Sequence, residues 1–198
     1  IRKYQSIFKI AGLNLIALEV ETVSSARTLV GTDPVLTLIL DIGARSTSIS
    51  LVERGFLKTT AVFDMAGANL TQAIANGLNI NIRRAEELKK SRGLEVVGAE
   101  ADLPILIFPF IDVIINEVRR LIEASEKNYG QRPERLILSG GEANLPGLRK
   151  YIEGQLSLPV LRAEPFSKIS YPSSIEPLVK ELGPLLAVAI GLGIREMV

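Results

Sequence analysis

The sequence predicts an α/β domain, and three observations carry that expectation. Residues 36–63 break into three consecutive strand-like runs separated by short turns, a meander. The first run, Leu36 to Leu40, is apolar almost throughout, as a strand covered on both faces should be. Residues 109–127 place apolar side chains three and four apart, the stripe of an amphipathic helix.

Taken in order, Ile1 to Ala11 reads as the tail of a helix stopped by Gly12. Leu13 to Glu21 alternates weakly and is expected as a strand. Thr22 is placed to cap a short helix through Leu29, with Val23, Ala26 and Val30 at helical spacing. Gly31-Thr-Asp-Pro34 is a loop and a boundary between structural units. The strand from Leu36 ends at Asp41, the chain turns at Gly43, and a second strand opens at Thr47, where Ile49 and Leu51 alternate with Ser48 and Ser50. A third strand, Phe56 to Phe63, follows the turn at Arg54-Gly55. Helices are expected from Gly67 to about Asn76, stopped by Gly77, and from Ile82 to about Ser91, capped by Asn79 or Asn81. The second of these has Ile82, Ala85 and Leu88 as its apolar face. Residues 92–106 read as irregular, with a short strand around Leu94 to Val97. The helix from about Pro109 to Lys127 turns Ile111, Ile114, Ile115, Val118 and Ile122 to the core.

Arg135 to Ser139 reads as a strand running into Gly140-Gly141. Asn144 is expected to cap the next helix, with Pro146 in its first turn and its close near Gly154 to Leu156. Leu158 to Ala163 is the last strand and Pro165 to Pro177 a loop. The closing helix, about Gly183 to Glu196, is rich in small residues that permit close approach to a neighbouring backbone or ligand.

Composition narrows the function. An apolar fraction of 47% supplies ample core. Lys plus Arg number 23 against 22 Asp plus Glu, and no basic run exceeds two adjacent charges, which argues against a nucleic-acid footprint. With no Cys there is no disulfide, thiolate nucleophile or Cys-ligated metal, and with no His the commonest general base is missing. The longest apolar run, Leu185 to Ile194, is too short to span a bilayer. No signal sequence opens the chain, and its start at Ile1 suggests an excised piece of a soluble cytoplasmic protein.

Three motifs bear chemistry. The turn Asp41-Ile-Gly43-Ala-Arg-Ser-Thr47 ends a buried strand on a carboxylate, removes a Cβ at the bend and places hydroxyls and free N–H groups there. Such a turn suits a phosphate and its hydrated magnesium. The pair Gly140-Gly141 at the end of a strand lets a flat ligand lie against backbone. Glu86 and Lys89, three apart on a helix, share one face and offer a ribose an acceptor and a donor. Each has an ordinary alternative when taken alone: a plain hairpin, a plain strand-to-helix turn, a solvated helix face.

Their order together resembles the second half of the actin-like ATPase fold, in which they are the second phosphate loop, the ribose-contacting helix and the adenosine motif. Within that superfamily the wording resembles the PilM family of type IV pilus assembly. The carrying residues are the Asp41 to Thr47 turn, Gly67-Ala-Asn-Leu-Thr71, Ala85-Glu86 with Lys89, Leu138-Ser-Gly140-Gly141 with Leu145-Pro-Gly-Leu148, and Ala187-Val-Ala-Ile-Gly-Leu-Gly-Ile-Arg195. FtsA, the cell-division protein, is the nearest rival. It usually has a glycine-richer loop with an acid after the Thr pair, where this chain has Arg45 and Ser48.

The resemblance implies a mixed sheet with flanking helices and a small inserted subdomain. Residues 1–32 would be the tail of the first lobe, 33–66 and 109–198 the nucleotide-binding subdomain, and 67–108 the insert. It implies ATP and magnesium as cofactors, with Asp41 holding the metal through water and Gly43, Ala44, Arg45, Ser46 and Thr47 facing the phosphates. Glu86 and Lys89 would meet the ribose, Gly140, Gly141 and Glu142 would flank the adenosine, and Gly67 would border the site. It also implies a scaffold for the inner-membrane pilus platform that binds the cytoplasmic tail of PilN, and it is compatible with self-association. A filament protein like FtsA and an actin-fold phosphotransferase are the alternatives; hydrolysis would be slow at most. The family's first phosphate loop, another D-x-G hairpin, does not occur in residues 1–198, so this half-cleft is expected to bind ATP weakly by itself.

Overall fold

The computed structural model describes residues 1–95 and 102–196, Asp102 by its backbone alone. The apolar run at 36–42 becomes the middle of a five-stranded sheet. Its strands are β1 (Thr37–Ile42), β2 (Thr47–Glu53), β3 (Phe56–Phe63), β4 (Arg135–Ser139) and β5 (Val160–Arg162), in the order β3-β2-β1-β4-β5. The expected meander is there, with β1 to β2 and β2 to β3 antiparallel. β4 runs parallel to β1, and β5 parallel to β4, so the sheet is mixed.

The period-two rule sends alternate side chains of β1 to opposite faces. Leu38, Leu40 and Ile42 join Ile49 and Leu51 in a large core. That face is covered by α3 (Gly67–Leu78), α4 (Ile82–Arg92), α5 (Asp102–Tyr129) and α6 (Leu148–Leu156). The expected stripe of α5 is buried, each fully covered branched side chain contributing about 1.5–3 kcal/mol. Ile39, Val52 and Ile137 face the other way, toward Ala26 of α2 (Glu21–Leu29) and Val30 just after it, with α7 (Glu176–Gly193) laid against α2.

Several boundaries move, for physical reasons. Leu13 to Glu21 is not a strand: residues 13–20 have no regular structure and pair with no strand among the described residues, although exposure alternates from Leu15, and Glu21 opens α2. Thr22 does not cap α2, which starts at Glu21. Glu19 anchors that end instead, accepting from Ser24 Oγ at 2.8 Å and from Arg27. Gly77 does not stop α3. A Cβ there would lie 2.7 Å from Leu106, so the glycine serves α5 packing, and the helix ends at left-handed Asn79. Asn81 caps α4, accepting from Arg84 N at 2.9 Å, while Ile82 is left half exposed.

α5 begins at Asp102, not Pro109, because buried Leu103 and Ile107 extend its apolar stripe backwards. The strand expected at Leu94 to Val97 is not seen at Leu94 and Glu95; the rest lies outside the described residues. Asn144 caps no helix: Gly141–Asn144 is a 3₁₀ turn, and α6 starts after Gly147, so Pro146 precedes it. β5 is shorter than expected. α7 begins at Glu176, with Pro177 in its first turn and Pro184 carried inside it.

Candidate functional site

The ends of β1 and β4 bring the motifs together. Gly43 N donates to Ser46 O at 3.0 Å, closing the first turn. The next loop locks onto it, since Gly67 N donates to Gly43 O at 2.9 Å and Ala68 N to Ala44 O at 3.0 Å. The start of α3 therefore moves with the Asp41 turn. Just after β4, Gly140 has φ +84, and a Cβ there would stand 2.4 Å from Ile42 O. Only glycine fits between the strands at that point. Gly141 has open space at its Cβ position, with Leu185 of α7 3.8 Å away.

A hollow of about 580 Å³ lies between these elements. Ala44 from the first turn, Glu86 and Lys90 from α4, and Gly141 and Glu142 from the 3₁₀ turn form one side. Lys180 and Leu185 of α7 and Arg162 of β5 form the other. Asn144 fastens the two, donating to Glu181 O at 2.9 Å and accepting from Arg162, whose guanidinium also reaches Lys180 O.

Beneath the hollow is a buried polar cluster. Lys89 is 2% exposed, and its Nζ lies 2.7 Å from Glu142 Oε1, 2.9 Å from Glu86 Oε2 and 2.9 Å from Thr71 Oγ1. Thr71 Oγ1 is 2.6 Å from Glu86 Oε2, and Lys90 Nζ is 3.2 Å from Glu86 Oε1. Burial opposes ionisation of Glu86, but the Thr71 hydroxyl and the two lysines outweigh it and bring the carboxyl down to about 2. Gly67 belongs to the same cluster: a Cβ there would lie 2.1 Å from Glu142 Oε1.

Of the residues singled out from sequence, Ala44, Glu86, Gly141 and Glu142 line the hollow; Gly43, Gly67, Lys89 and Gly140 do not, but adjoin or bond to residues that do. Arg45 and Ser46 stand exposed at the turn. Thr47 is fully buried and gives its hydroxyl to Met65 O, inward rather than toward the turn.

Asp41 lies apart from the hollow. It pairs across the sheet with Ser48 and Ser139, and its side chain enters a small recess bounded by Glu21 and Ser25 of α2 and Val188 of α7. Burial pushes its carboxyl above the ordinary value, the Ser139 hydroxyl opposes that, and acidic Glu21 adds to it. No group of three or more acids able to hold a metal directly occurs among the described residues. The recess beside Asp41 offers only about 10 Å³, roughly one water, and burial disfavours the charged carboxylate, so a hydrated cation does not fit it as it stands.

A family model described as type IV pilus assembly protein PilM matches residues 8–197. The chain belongs to the PilM family. A solved PilM-PilN type IV pilus biogenesis complex is 28% identical, with a TM-score of 0.79 over 94% of this chain and 55% of that one. Cell division protein FtsA of Bacillus subtilis (strain 168) is 25% identical over 146 residues, 64% of this chain and 33% of that protein. FtsA of Rhizobium meliloti (strain 1021) is 24% identical over 182 residues, 80% of this chain and 40% of that protein. MreB5 of Spiroplasma citri, solved bound to ADP, is 19% identical with a TM-score of 0.74 over 99% of this chain and 64% of that one, a likeness of fold. The fold is that of the actin-like ATPases, and this PilM-family chain spans a third to two-fifths of these curated relatives. No helix among the described residues is long and apolar enough to cross a membrane.

Sequence reasoning missed Lys90, Thr71, Arg162 and Lys180. Lys90 sits four residues after Glu86, the helical spacing of an ion pair, and was legible. Thr71 lies inside a quoted motif. Arg162 and Lys180 reach the hollow only through the packing of β5 and α7, for which the sequence carries no local signal.

Proposed function

We propose that this chain is the second, nucleotide-binding lobe of a PilM-type scaffold and that the hollow takes ATP. The observation that carries the reading is the convergence of Ala44, Glu86, Gly141 and Glu142, from three motifs far apart in sequence, on one cavity. Residues 33–66 and 109–198 form the nucleotide-binding subdomain in this reading, with 67–108 inserted and 1–32 leading from the first lobe. Asp41 opens into its own recess and not into this hollow, so magnesium held through Asp41 rests on the family likeness alone, which Asp41→Ala tests. The cytoplasmic tail of PilN is the partner, supported by the likeness to the solved PilM-PilN complex. The protein then serves the inner-membrane pilus platform from the cytoplasmic side, its lobe arrangement set by nucleotide. The family match over residues 8–197 favours this over an FtsA-like filament role.

Calorimetric ATP titration of the full-length protein and of residues 1–198 tests the reading. The full-length protein is expected to bind with magnesium, and the isolated chain weakly or undetectably, because each missing phosphate donor costs about 1 kcal/mol or more. Micromolar binding by the isolated chain contradicts the half-cleft. Magnesium-dependent affinity left unchanged by Asp41→Ala removes Asp41 from its role.

A further inference from the structure

The resemblance sends Lys89 to a ribose, yet its ammonium is fully engaged inside the protein. Glu142 Oε1, Glu86 Oε2 and Thr71 Oγ1 lie within 2.9 Å of Nζ, and Gly67 O is at 3.3 Å. An ammonium has three N–H groups, so none remains to point into the hollow. Glu142 is the decisive acceptor. It makes the shortest of these contacts and comes from the 3₁₀ turn after Gly140-Gly141, whereas the others come from α3 and α4. The chain also makes room for it, since any side chain at Gly67 would meet the Glu142 carboxylate.

We propose that Glu142 is a specificity-determining latch: it holds Lys89 beneath the hollow and ties α4 to the glycine loop. A ligand's paired hydroxyls then meet the Glu86 carboxylate as acceptor, and not the ammonium. The ligand half of this statement rests on the nucleotide reading above; the latch itself does not.

Two measurements on the full-length protein separate them. Hydrogen exchange without nucleotide compares wild type with Glu142→Ser. The amides of residues 67–71 and of α4 are expected to exchange about tenfold faster in the variant, the loss of one charged hydrogen bond. Unchanged exchange overturns the latch.

The second measurement is the ratio of affinities for ATP and 2′-deoxy-ATP, which a purely structural defect would not move. Glu142→Ser is expected to shift the ratio several-fold by freeing the ammonium. The double variant Glu142→Ser/Lys89→Met has no ammonium to free and keeps Glu86 beside Lys90, so it should return the ratio to within about twofold of wild type. Should Lys89→Met not fold, Lys89→Gln takes its place. A double variant whose ratio stays as far from wild type as that of Glu142→Ser overturns the proposal. If no variant and no wild type binds ATP, the nucleotide reading falls, and with it the ligand half, while the exchange result still decides the latch.

Discussion

The two faces of the sheet are held by different physics. On the α5 face, Leu38, Leu40, Ile42, Ile49 and Leu51 meet Ile107, Ile111, Ile114 and Ile115, all fully covered. Volume does the stabilising there. On the α2 and α7 face the buried set is small, with Ala26, Val30, Ile39, Val52, Ile137 and Ala163. That side is held by close approach and polar ties. Thr28 Oγ1 lies 3.0 Å from Ser24 O and 3.1 Å from Ala187 O, and Arg27 donates to Gly191 O at 2.8 Å. The thick face supplies stability and the thin face supplies placement. Asp41 projects toward the thin face, so its surroundings depend on how α2 and α7 sit.

The thick face is most vulnerable at Ile114. Its truncation in Ile114→Ala leaves a cavity in the densest layer and should cost about 4 kcal/mol in a guanidinium unfolding titration. On the thin face the equivalent blow is an added atom. A Cβ at Gly191 would stand 2.1 Å from Ser24 O and 2.4 Å from Thr28 Oγ1. Gly191→Ala should cost about 3 kcal/mol, since α2 must shift to admit it. Because the nearest atom is a backbone carbonyl, adding Thr28→Ala should recover little of the loss. A Gly191→Ala variant as stable as wild type would mean that the helices do not meet this closely.

This division also explains what was legible beforehand. The thick face announces itself in sequence, because branched residues at a period of two or of three and four have few other uses. So the meander, β4 and the stripe of α5 could be read from residues, and the closing helix could be recognised by its small residues. The motifs of the hollow were legible too, as short spacings around Asp41, Glu86 and Gly140. What could not be read was distance between elements. Nothing in the spacing of Glu142 and Lys89 shows that they meet, since 53 residues separate them. Nor does any local pattern send Asp41 toward α2 and away from the hollow that its own turn helps to line. Helix ends were misjudged where a proline was read as a start, at 109, or where an asparagine was read as a cap, at 144. In each case packing overrode the local signal.

Each side of the sheet also contributes a carboxyl that acid would discharge, with a modest effect. Hydrogen bonds from Arg27, helped by Ser24 and opposed by burial, lower Glu19 on the thin side from an ordinary 4.5 to about 2. Glu86, beside the hollow, is brought to about 2 as well. A carboxyl depressed in the folded state stabilises it while ionised. That contribution is complete above about pH 4.5, shrinks as pH falls, and is gone below about pH 2. With partial solvent screening, the Glu19 share should be about 1 kcal/mol. Arg27→Gln removes the partner that depresses Glu19 and leaves Glu86 with its lysines. Urea titrations between pH 5 and 2 should therefore show the variant losing about 1 kcal/mol less than wild type across that window. If both lose stability equally, the acid sensitivity belongs to the other depressed carboxyls, Glu86, Asp33 and Glu53, and the ties of the thin face act through the Arg27 bond to Gly191 rather than through the Glu19 charge.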